Sequence, residues 1–339
     1  MKDLFQYTLS ELEVRFVAKG FKKYNAKQVY DWLYIKKAKS FDEMTNLSKT
    51  LRAYLDTYYS IGSLLISEHQ VSKDGTEKFL FQLQDGNFIE TVLMRHNYGN
   101  SVCVTTQLGC NIGCSFCASG LQTKKRDLTA DEIVLQIVEV ERKTKERVSH
   151  IVVMGIGEPF DNYINTMKFI DVVNDPNGLG IGARHITVST SGIVPQIIEF
   201  SEREKQVNLA ISLHAPNDEV RTRLMKVNIA YNIQEVIEAA KYYVEKTNRR
   251  ITFEYILLEG VNDELKHADE LSNLLRGINC YVNLIRYNYV NEFNYKGSTE
   301  LRANNFHQRL LKRGINATLR KEQGSDIDAA CGQLRSKKV

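Results

Sequence analysis

The stretch SVCVTTQLGCNIGCSFCASG, residues 101–120, joins a strand pattern to three closely spaced cysteines. Its first seven residues, SVCVTTQ, are rich in β-branched side chains and predict a β-strand. Cys110, Cys114 and Cys117 follow, with three and then two residues between them. Four cysteines saturate an iron–sulfur cluster, whereas three thiols leave one iron open to a small chelating molecule such as S-adenosylmethionine. The stretch therefore predicts a loop that holds a [4Fe–4S] cluster at the end of a strand.

Two other interpretations of this loop are open. A structural zinc site would take Cys103 as its fourth ligand, and thiols can also serve only as packing. Zinc sites usually pair their cysteines in two separated C-x2-C segments, and this sequence lacks that arrangement. The iron–sulfur interpretation is therefore favoured over both.

Short apolar runs alternate with helical stretches from the cysteine loop onward. The β-branched runs are SVCVTTQ, HIVVMG, HITVSTS, VNLAISLH, ITFEYILL and YVNLIRYN, with INATLRKE as a further candidate strand. Such alternation is typical of parallel β/α units, whose ligands gather at the carboxyl ends of the strands. Six units are fewer than the eight that close a full barrel. The sequence therefore predicts an α/β fold with an open, partial (β/α)6 barrel.

The rest of the chain divides into three segments around this core, which spans residues 101–325. Residues 1–75 space apolar side chains at three and four with many lysines between them, which predicts a small helical accessory domain. Its basic face either grips nucleic-acid phosphates or is simply solvated. Residues 76–100 place two strand patterns around Asp85-Gly86 and predict a β-hairpin linker. Residues 326–339 form a C-terminal tail.

Composition leaves several classes of protein open. The 339 residues carry 45 basic against 41 acidic side chains, a net charge of +4, which permits nucleic-acid binding without requiring it. Apolar runs are shorter than the ~20 residues of a bilayer-spanning helix, and the start MKDLFQYTLSELEVRF lacks the apolar core of a secretion signal. A cytoplasmic protein is expected, in which six cysteines serve as metal ligands or catalysts rather than disulfides.

Several predicted strands end in polar or glycine-rich segments. GIGEP, residues 155–159, follows the strand HIVVM; Gly157 permits close approach of a ligand, and Glu158 can accept a hydrogen bond from an ammonium group. Similar segments are Ser189–Gly192, Ser212–His214 and Asn288. Each alone would be loop solvation or a helix cap. Together, at the carboxyl ends of parallel strands, they predict one shared pocket.

A further cysteine, Cys331, stands in the tail segment GSDIDAACGQL. A lone thiol near a C-terminus is more often passive than catalytic, so the residue type alone assigns it no role. That segment closely resembles the RlmN-type dual-specificity RNA methyltransferases of the radical S-adenosylmethionine superfamily, as do CVTTQLGCNIGCSFCASG, VMGIGEPFDN, RHITVSTSG and AISLHAPNDEVR. The resemblance covers nearly the whole chain.

The resemblance implies an activity and a role for each matching residue. Such enzymes methylate carbon 2 of an adenine in the peptidyl-transferase region of 23S rRNA, and at least some also methylate the adenine beside the tRNA anticodon. Cys331 is implied as an S-methylcysteine carrier, Cys103 as the thiol that resolves it through a transient disulfide, and Glu90 as a proton acceptor. The implied cluster ligands are Cys110, Cys114 and Cys117. The implied S-adenosylmethionine contacts are Gly157, Glu158, Ser189, Ser212, Leu213, His214 and Asn288.

The resemblance also implies cofactors and partners. Two molecules of S-adenosylmethionine are expected per turnover, one to methylate Cys331 and one to give a 5′-deoxyadenosyl radical. An electron donor of the flavodoxin class is expected, the first 75 residues are expected to bind RNA, and the enzyme is expected to be a monomer without a membrane partner. Cys280 matches no catalytic position and is expected to be buried packing.

Two segments depart from the family pattern and keep a second activity open. LMKVN stands where LMPIN is common, and LIRYN replaces the more usual LIPxN. The arginine–tyrosine pair resembles the sister Cfr-type enzymes, which methylate carbon 8 of the same adenine and so confer antibiotic resistance, whereas GIGEPFDN and EQGSDIDAAC resemble the carbon-2 group. Alternatives of other classes are a zinc-stabilised RNA-binding module without catalysis and a radical enzyme that activates a small molecule.

Overall fold

The computed structural model describes residues 1–203 and 206–335, in which strands and helices alternate from residue 99 onward. The strands are β1 (Lys2–Asp3), β2 (Tyr59–Ser60), β3 (Leu65–Val71), β4 (Glu77–Gln82), β5 (Phe88–His96), β6 (Gly99–Cys103), β7 (Gln107–Leu108), β8 (Arg126–Asp127), β9 (Val148–Val153), β10 (Ile186–Thr190), β11 (Asn208–Ser212), β12 (Ile251–Leu257), β13 (Cys280–Arg286) and β14 (Ala317–Leu319). The helices are α1 (Leu9–Val17), α2 (Lys23–Tyr34), α3 (Lys49–Tyr58), α4 (Ala130–Thr144), α5 (Tyr163–Asn174), α6 (Val194–Arg203), α7 (Asp218–Leu224), α8 (Ile233–Thr247), α9 (Leu265–Leu274) and α10 (Glu300–Lys312).

A single ten-stranded sheet forms the centre of the molecule, in the order β14-β13-β12-β11-β10-β9-β6-β5-β4-β3. Every neighbouring pair from β6 to β14 is parallel, and the pairs from β3 to β6 are antiparallel. The six predicted β/α strands are β6 and β9 to β13, and the further candidate INATLRKE contains β14. The alternation of runs therefore predicted the parallel part of the sheet correctly.

The sheet curls into an open barrel rather than lying flat. Arg320 directly follows β14, yet its side chain lines the same cavity as Cys103 on β6 and Val92 on β5. Five strands separate β14 from β6 in the sheet order, so only a curled sheet brings these residues together. Within the described ranges β14 and β3 do not pair with each other. The predicted open, partial barrel is confirmed.

Helices cover the outer face of the barrel. Helix α8 turns Val236, Ile237, Ala240 and Tyr243 into the core, at the three- and four-residue spacing of an amphipathic helix. Asn232 and Glu235 close its first turn as a capping box, which satisfies backbone amides that have no partner within the helix. Successive side chains of each strand therefore point alternately to this outer core and to a more polar barrel interior.

The N-terminal helices share the hydrophobic core of the barrel. Phe5 is fully buried and packs edge-on against Tyr34 of α2, with ring centroids 5.4 Å apart. The amide of Leu9 donates to the carboxylate of Asp175, just after α5, at 3.0 Å. Core side chains of the helices and the barrel belong to one contiguous cluster. Residues 1–75, which the sequence predicts to be helical, contain α1, α2 and α3 together with the strands β1, β2 and β3.

The hairpin around Asp85-Gly86 is built into the sheet. Its two strands are β4 and β5, and Gly86 adopts a φ of 84° in the turn between them. Strand β5 pairs with β6, so the hairpin extends the barrel sheet, and β3 adds a further strand beyond it. No helix in the described part of the chain is long and apolar enough to cross a membrane.

Candidate cluster and methyl-transfer site

The three closely spaced cysteines converge on one cavity at the carboxyl ends of the strands. Cys110, Cys114 and Cys117 lie in the loop between β7 and β8, and all three line this cavity, called here the cluster cavity. Backbone hydrogen bonds fix the loop: the amide of Cys110 donates to the carbonyl of Gln122 at 3.0 Å, and that of Ser115 to the carbonyl of Leu224 at 2.9 Å. The fold therefore presents three thiols to a common space.

The three buried thiols would ionise more readily beside a cation. Burial raises the pKa of Cys110 to about 12, and the neighbouring Cys117 adds to the shift. Burial also raises the pKa values of Cys114 and Cys117, and for Cys114 both other cysteines contribute. Iron would stabilise all three thiolates by its positive charge. The donor set thus fits an iron–sulfur cluster.

The zinc alternative finds less support in the same geometry. Cys103, its required fourth ligand, lines a different cavity together with Cys331. Among the described residues no group of three or more His, Cys, Asp or Glu side chains could hold a single metal ion. An iron–sulfur cluster differs in this respect, because its thiolates bind separate irons.

The GIGEP segment forms one wall of the cluster cavity. A Cβ atom on Gly157, whose φ is 108°, would lie 2.6 Å from Cβ of Gln107, so only glycine fits. The Glu158 carboxylate accepts hydrogen bonds from the amides of Phe160 at 3.0 Å and Ser191 at 2.7 Å. Burial raises the pKa of Glu158. A ligand ammonium group at this carboxylate would favour its charged form.

Three of the predicted strand-end contacts also line the cluster cavity. They are Ser189, Ser212 and His214, whereas Leu213 is fully buried in the hydrophobic core. His214 adopts a left-handed φ of 57°, and its Nδ1 accepts a hydrogen bond from the Ile256 amide at 3.0 Å. Burial lowers the pKa of His214 to about 3. The ring is therefore neutral, with its proton on Nε2.

Several buried polar atoms around the cavity lack hydrogen-bond partners within the described residues. They include Oγ of Ser191 and Oε2 of Glu254, which line the cluster cavity, and Oδ1 of Asn288. A buried polar atom without a partner costs free energy. These atoms therefore fit a polar ligand such as S-adenosylmethionine beside the three thiols.

The C-terminal tail brings Cys331 to the boundary between two cavities. The Asn288 side chain donates to the carbonyl of Cys331 at 3.1 Å, and the amide of Ala118, one residue after Cys117, donates to the carbonyl of Gly332 at 2.8 Å. Cys331 lines the cluster cavity and also a second cavity, called here the tail cavity, which contains Cys103. The tail thus joins the two spaces through one thiol.

Cys103 is the partner thiol in the tail cavity. It is buried at the end of β6, and burial raises its pKa to about 12, with a further contribution from the neighbouring Cys331. Both cysteines are free thiols in this structure.

Sequence models of two families match the chain, one over each of its main parts. The radical SAM superfamily matches residues 104–271, and the "Ribosomal RNA large subunit methyltransferase N-terminal domain" matches residues 2–61. A probable dual-specificity RNA methyltransferase RlmN from Spiroplasma citri is 58% identical, over 99% of this chain and 98% of that protein. The chain belongs to the RlmN family. A Staphylococcus aureus RlmN is 57% identical, over 99% of this chain and 93% of its own.

A solved structure supports the assignment of this RlmN-family chain. The crystal structure of a radical SAM methyltransferase from Sphaerobacter thermophilus superposes with a TM-score of 0.94 at 46% identity, and 99% of each chain is covered. The superfamily match implies a [4Fe–4S] cluster and S-adenosylmethionine as cofactors, in agreement with the three-thiol cavity.

Glu90 lies apart from the two cysteine cavities of this RlmN-family chain. Its carboxylate is 3.6 Å from Nζ of Lys78, in a surface cleft that also contains Asp326 and Asp328 of the tail. Glu90 stands two residues before Val92 on β5, and Val92 lines the tail cavity. The structure therefore places Glu90 next to the tail cavity without bringing it inside.

Sequence reasoning missed Arg320, which lines both cavities. Its Nη1 lies 4.0 Å from Sγ of Cys331. Cys331 raises the pKa of Arg320, with further contributions from Glu254 and Cys103, so the guanidinium is charged. The only signal in the sequence was the alternation of INATLR, which puts Arg320 on the inward side of its strand.

Arg221 and Cys280 are two further buried residues of the barrel. Arg221 is fully buried and donates to the carbonyl of Ser191 at 2.6 Å, and burial lowers its pKa to about 10. Cys280 is buried at the start of β13, in the core between sheet and helices. Arg221 thus supports the wall of the cluster cavity, and Cys280 is outside both cavities.

Proposed function

We propose that this chain methylates carbon 2 of an adenine in the peptidyl-transferase region of 23S rRNA, and also the adenine next to the tRNA anticodon. The observation that carries the proposal is the position of Cys331, which faces both the three cluster cysteines and Cys103. The relatives' names, which state dual specificity for RNA methylation, support it. The Cfr-type carbon-8 alternative is less favoured, since these relatives carry the RlmN name over nearly the whole chain.

The cofactor proposal assigns the cluster to Cys110, Cys114 and Cys117, and the amino group of S-adenosylmethionine to Glu158. Ser189, Ser212, His214 and Asn288 hold the remaining polar groups, while Gly157 and Leu213 act through the backbone. With the cluster bound, one electron becomes available to cleave S-adenosylmethionine to a 5′-deoxyadenosyl radical. A donor of the flavodoxin class supplies that electron. Two molecules of S-adenosylmethionine are consumed per turnover.

Cys331 carries the methyl group in this proposal. Its thiolate attacks the methyl carbon of one S-adenosylmethionine, the new S–C bond forms, and S-adenosylhomocysteine leaves. The 5′-deoxyadenosyl radical takes one hydrogen atom from the S-methyl group and becomes 5′-deoxyadenosine, and the resulting carbon radical adds to the adenine. The methyl group must pass through sulfur because an electrophilic ring carbon does not attack the positive methyl group of S-adenosylmethionine.

Release of the RNA assigns roles to Cys103 and Glu90. The adduct radical loses one electron, which the oxidised cluster held by Cys110, Cys114 and Cys117 would accept, and a proton from the ring carbon, which Glu90 accepts. Cys103 then attacks the sulfur of Cys331, the S–CH₂ bond breaks with its electron pair on carbon, and protonation completes the methyl group. A Cys103–Cys331 disulfide remains, and exchange with cellular thiols reduces it before the next cycle. Because tail residues line the cleft around Glu90, this role requires the tail or the base to move.

The N-terminal helices are assigned to RNA binding. The target adenine must leave its stack to reach the tail cavity, at a cost of a few kcal/mol. Basic side chains that contact phosphates can offset that cost. The same proposal includes a division of the chain into domains after residues 75, 100 and 325, a monomeric state and a cytoplasmic location.

The cluster assignment is tested by iron content. Protein reconstituted without air is expected to be brown and to hold about four irons per chain. Replacing Cys110, Cys114 or Cys117 by alanine should remove the colour and the iron, whereas Cys280→Ala, a buried cysteine outside the cavity, should keep both. A triple-alanine variant that kept its cluster would overturn the assignment.

Arg320 is expected to promote methylation of Cys331. Nη1 of Arg320 lies 4.0 Å from Sγ of Cys331, so its positive charge stands beside the sulfur that attacks as a thiolate. Loss of that charge should slow the displacement about tenfold, which corresponds to about 1.4 kcal/mol in the activation free energy. Arg320→Met should therefore slow the gain of one methyl on the Cys331 peptide, followed by mass spectrometry without RNA. Arg320→Lys should retain part of the rate. The exposed Arg276→Met serves as control, and an unchanged rate in Arg320→Met would exclude the role.

A further inference from the structure

Four aromatic side chains form a continuous series at the amino-terminal end of the barrel. His96 stacks on Tyr98 with ring centroids 4.7 Å apart, Tyr98 meets His150 edge-on at 5.0 Å, and His150 stacks on His185 at 4.3 Å. We call His96, Tyr98, His150 and His185 the aromatic ladder. Tyr98 is 67% exposed, and His185 is also exposed. Two stacked pairs, which meet edge-on at Tyr98 and His150, thus present Tyr98 and His185 to solvent.

Strand register places the ladder beside the tail cavity. Cys103 pairs with Val152, both line that cavity, and Ser101 pairs with His150 one step earlier. Residues two apart on a strand point to the same face, about 7 Å from one another. His150 therefore faces the barrel interior next to the layer of Cys103. On β5, His96 stands two residues after Met94 and so points to the same face. Met94 also lines the tail cavity.

Arg320 connects the ladder to the tail cysteine. Its guanidinium lies beside Sγ of Cys331, and Tyr98 is among the groups that raise its pKa. Burial and then Arg320 lower the pKa of His96. These electrostatic contributions agree with the strand register, which places the ladder one layer away from the tail cavity that Arg320 and Cys331 line.

The turn between β5 and β6 brings these rings together. Residues 97 and 98 form the turn between β5 and β6, and Gly99 follows with a φ of 130°. A Cβ atom there would lie 2.2 Å from Oγ of Ser149, which is itself hydrogen-bonded to Nδ1 of His150 at 2.9 Å. Glycine at this position thus lets the turn that carries Tyr98 approach the strand that carries His150.

We propose that the aromatic ladder is a binding site for single-stranded RNA, on which a nucleobase adjacent to the target adenine stacks. The inference rests on the proposed function and names a substrate contact for it. Unpaired RNA bases are commonly held on Tyr and His rings, and stacking tolerates any base because every base has a π-face. A sequence-tolerant contact of this kind suits an enzyme that accepts two different RNAs.

The ladder is tested by pairing protein variants with altered RNA. Tyr98→Ala and the double variant Tyr98→Ala/His185→Ala should raise the KM for an RNA hairpin. We expect an increase of at least about fivefold, which is the smallest effect that the loss of one base stack should have. Tyr98→Phe should behave like the unmodified protein. Tyr242→Ala, which removes a ring from α8 on the outer layer, should have no effect. Methylation of Cys331 without RNA should stay unchanged in all variants.

RNAs with an abasic nucleotide on the 5′ or the 3′ side of the target adenine complete a double-mutant cycle. The effect of Tyr98→Ala on KM should disappear with one of the two abasic RNAs, because the stacked base is then already missing. An equal effect with both abasic RNAs, or no effect with intact RNA, would overturn the ladder while RNA methylation itself persisted. Absence of RNA methylation in the unmodified protein would instead refute the proposed function.

Discussion

Cys331→Ala is expected to abolish RNA methylation while the iron content and the fold are retained. No other thiol in the described residues lines both the cluster cavity and the tail cavity, so nothing replaces the methyl carrier. The backbone carbonyls of residues 331, 332 and 334 accept hydrogen bonds from the barrel, and alanine at 331 preserves these. The measurement is transfer of labelled methyl from S-adenosylmethionine to RNA, together with an iron assay.

A matched control for this variant is Cys280→Ala, which removes a buried thiol from the outer core and should leave methyl transfer intact. Peptide mass spectrometry of the unmodified protein from growing cells should show one extra methyl on Cys331. Methylated RNA from the Cys331→Ala enzyme would show that the carrier role is wrong.

Cys103→Ala is expected to accumulate a covalent protein–RNA adduct, up to one RNA per chain. Base attack depends on Cys331 and the radical, whereas release needs a second thiol, and Cys103 is the thiol that shares the tail cavity with Cys331. A denaturing gel run with and without ribonuclease detects the adduct, and an iron assay is run beside it. Loss of iron would reveal Cys103 as a cluster ligand, and normal turnover would assign resolution to another group.

The same step has an expected pH dependence. Burial raises the pKa of Cys103 to about 12, so at neutral pH nearly all of it is the unreactive thiol. Release of the adduct should therefore accelerate as pH rises from 7 to 9, because the thiolate is the attacking form. A thiolate at Cys331 would raise the pKa of Cys103 further, and methylation of Cys331 removes that contribution, which favours attack after the carrier is loaded.

The strands and helices of the barrel were predicted correctly from sequence because local patterns set them. The spacing of Cys110, Cys114 and Cys117 lies within one loop, and the β/α alternation follows from period and composition within each element. The positive φ of Gly157 is likewise a local property of its turn, whereas the close contact with Gln107 comes from a distant part of the chain.

The parts that sequence did not predict depend on how the sheet curls. Arg320 reaches Cys331 and Cys103 only because β14 comes opposite β6, and Glu254 faces the cluster cavity from β12 for the same reason. No spacing along the chain reports such contacts. Leu213 shows the converse, since its match to a family position gave no sign that its side chain lies in the outer core.

The central claim, methylation of an adenine carbon through Cys331, is tested most directly by mass spectrometry of nucleosides from 23S rRNA and tRNA. RNA would be taken from cells that lack this gene and from the same cells after its return. We expect 2-methyladenosine in RNA from cells that received the unmodified gene. RNA from cells that received the Cys331→Ala gene should contain no 2-methyladenosine. Unmodified adenosine in both, or 8-methyladenosine with the unmodified gene, would contradict it.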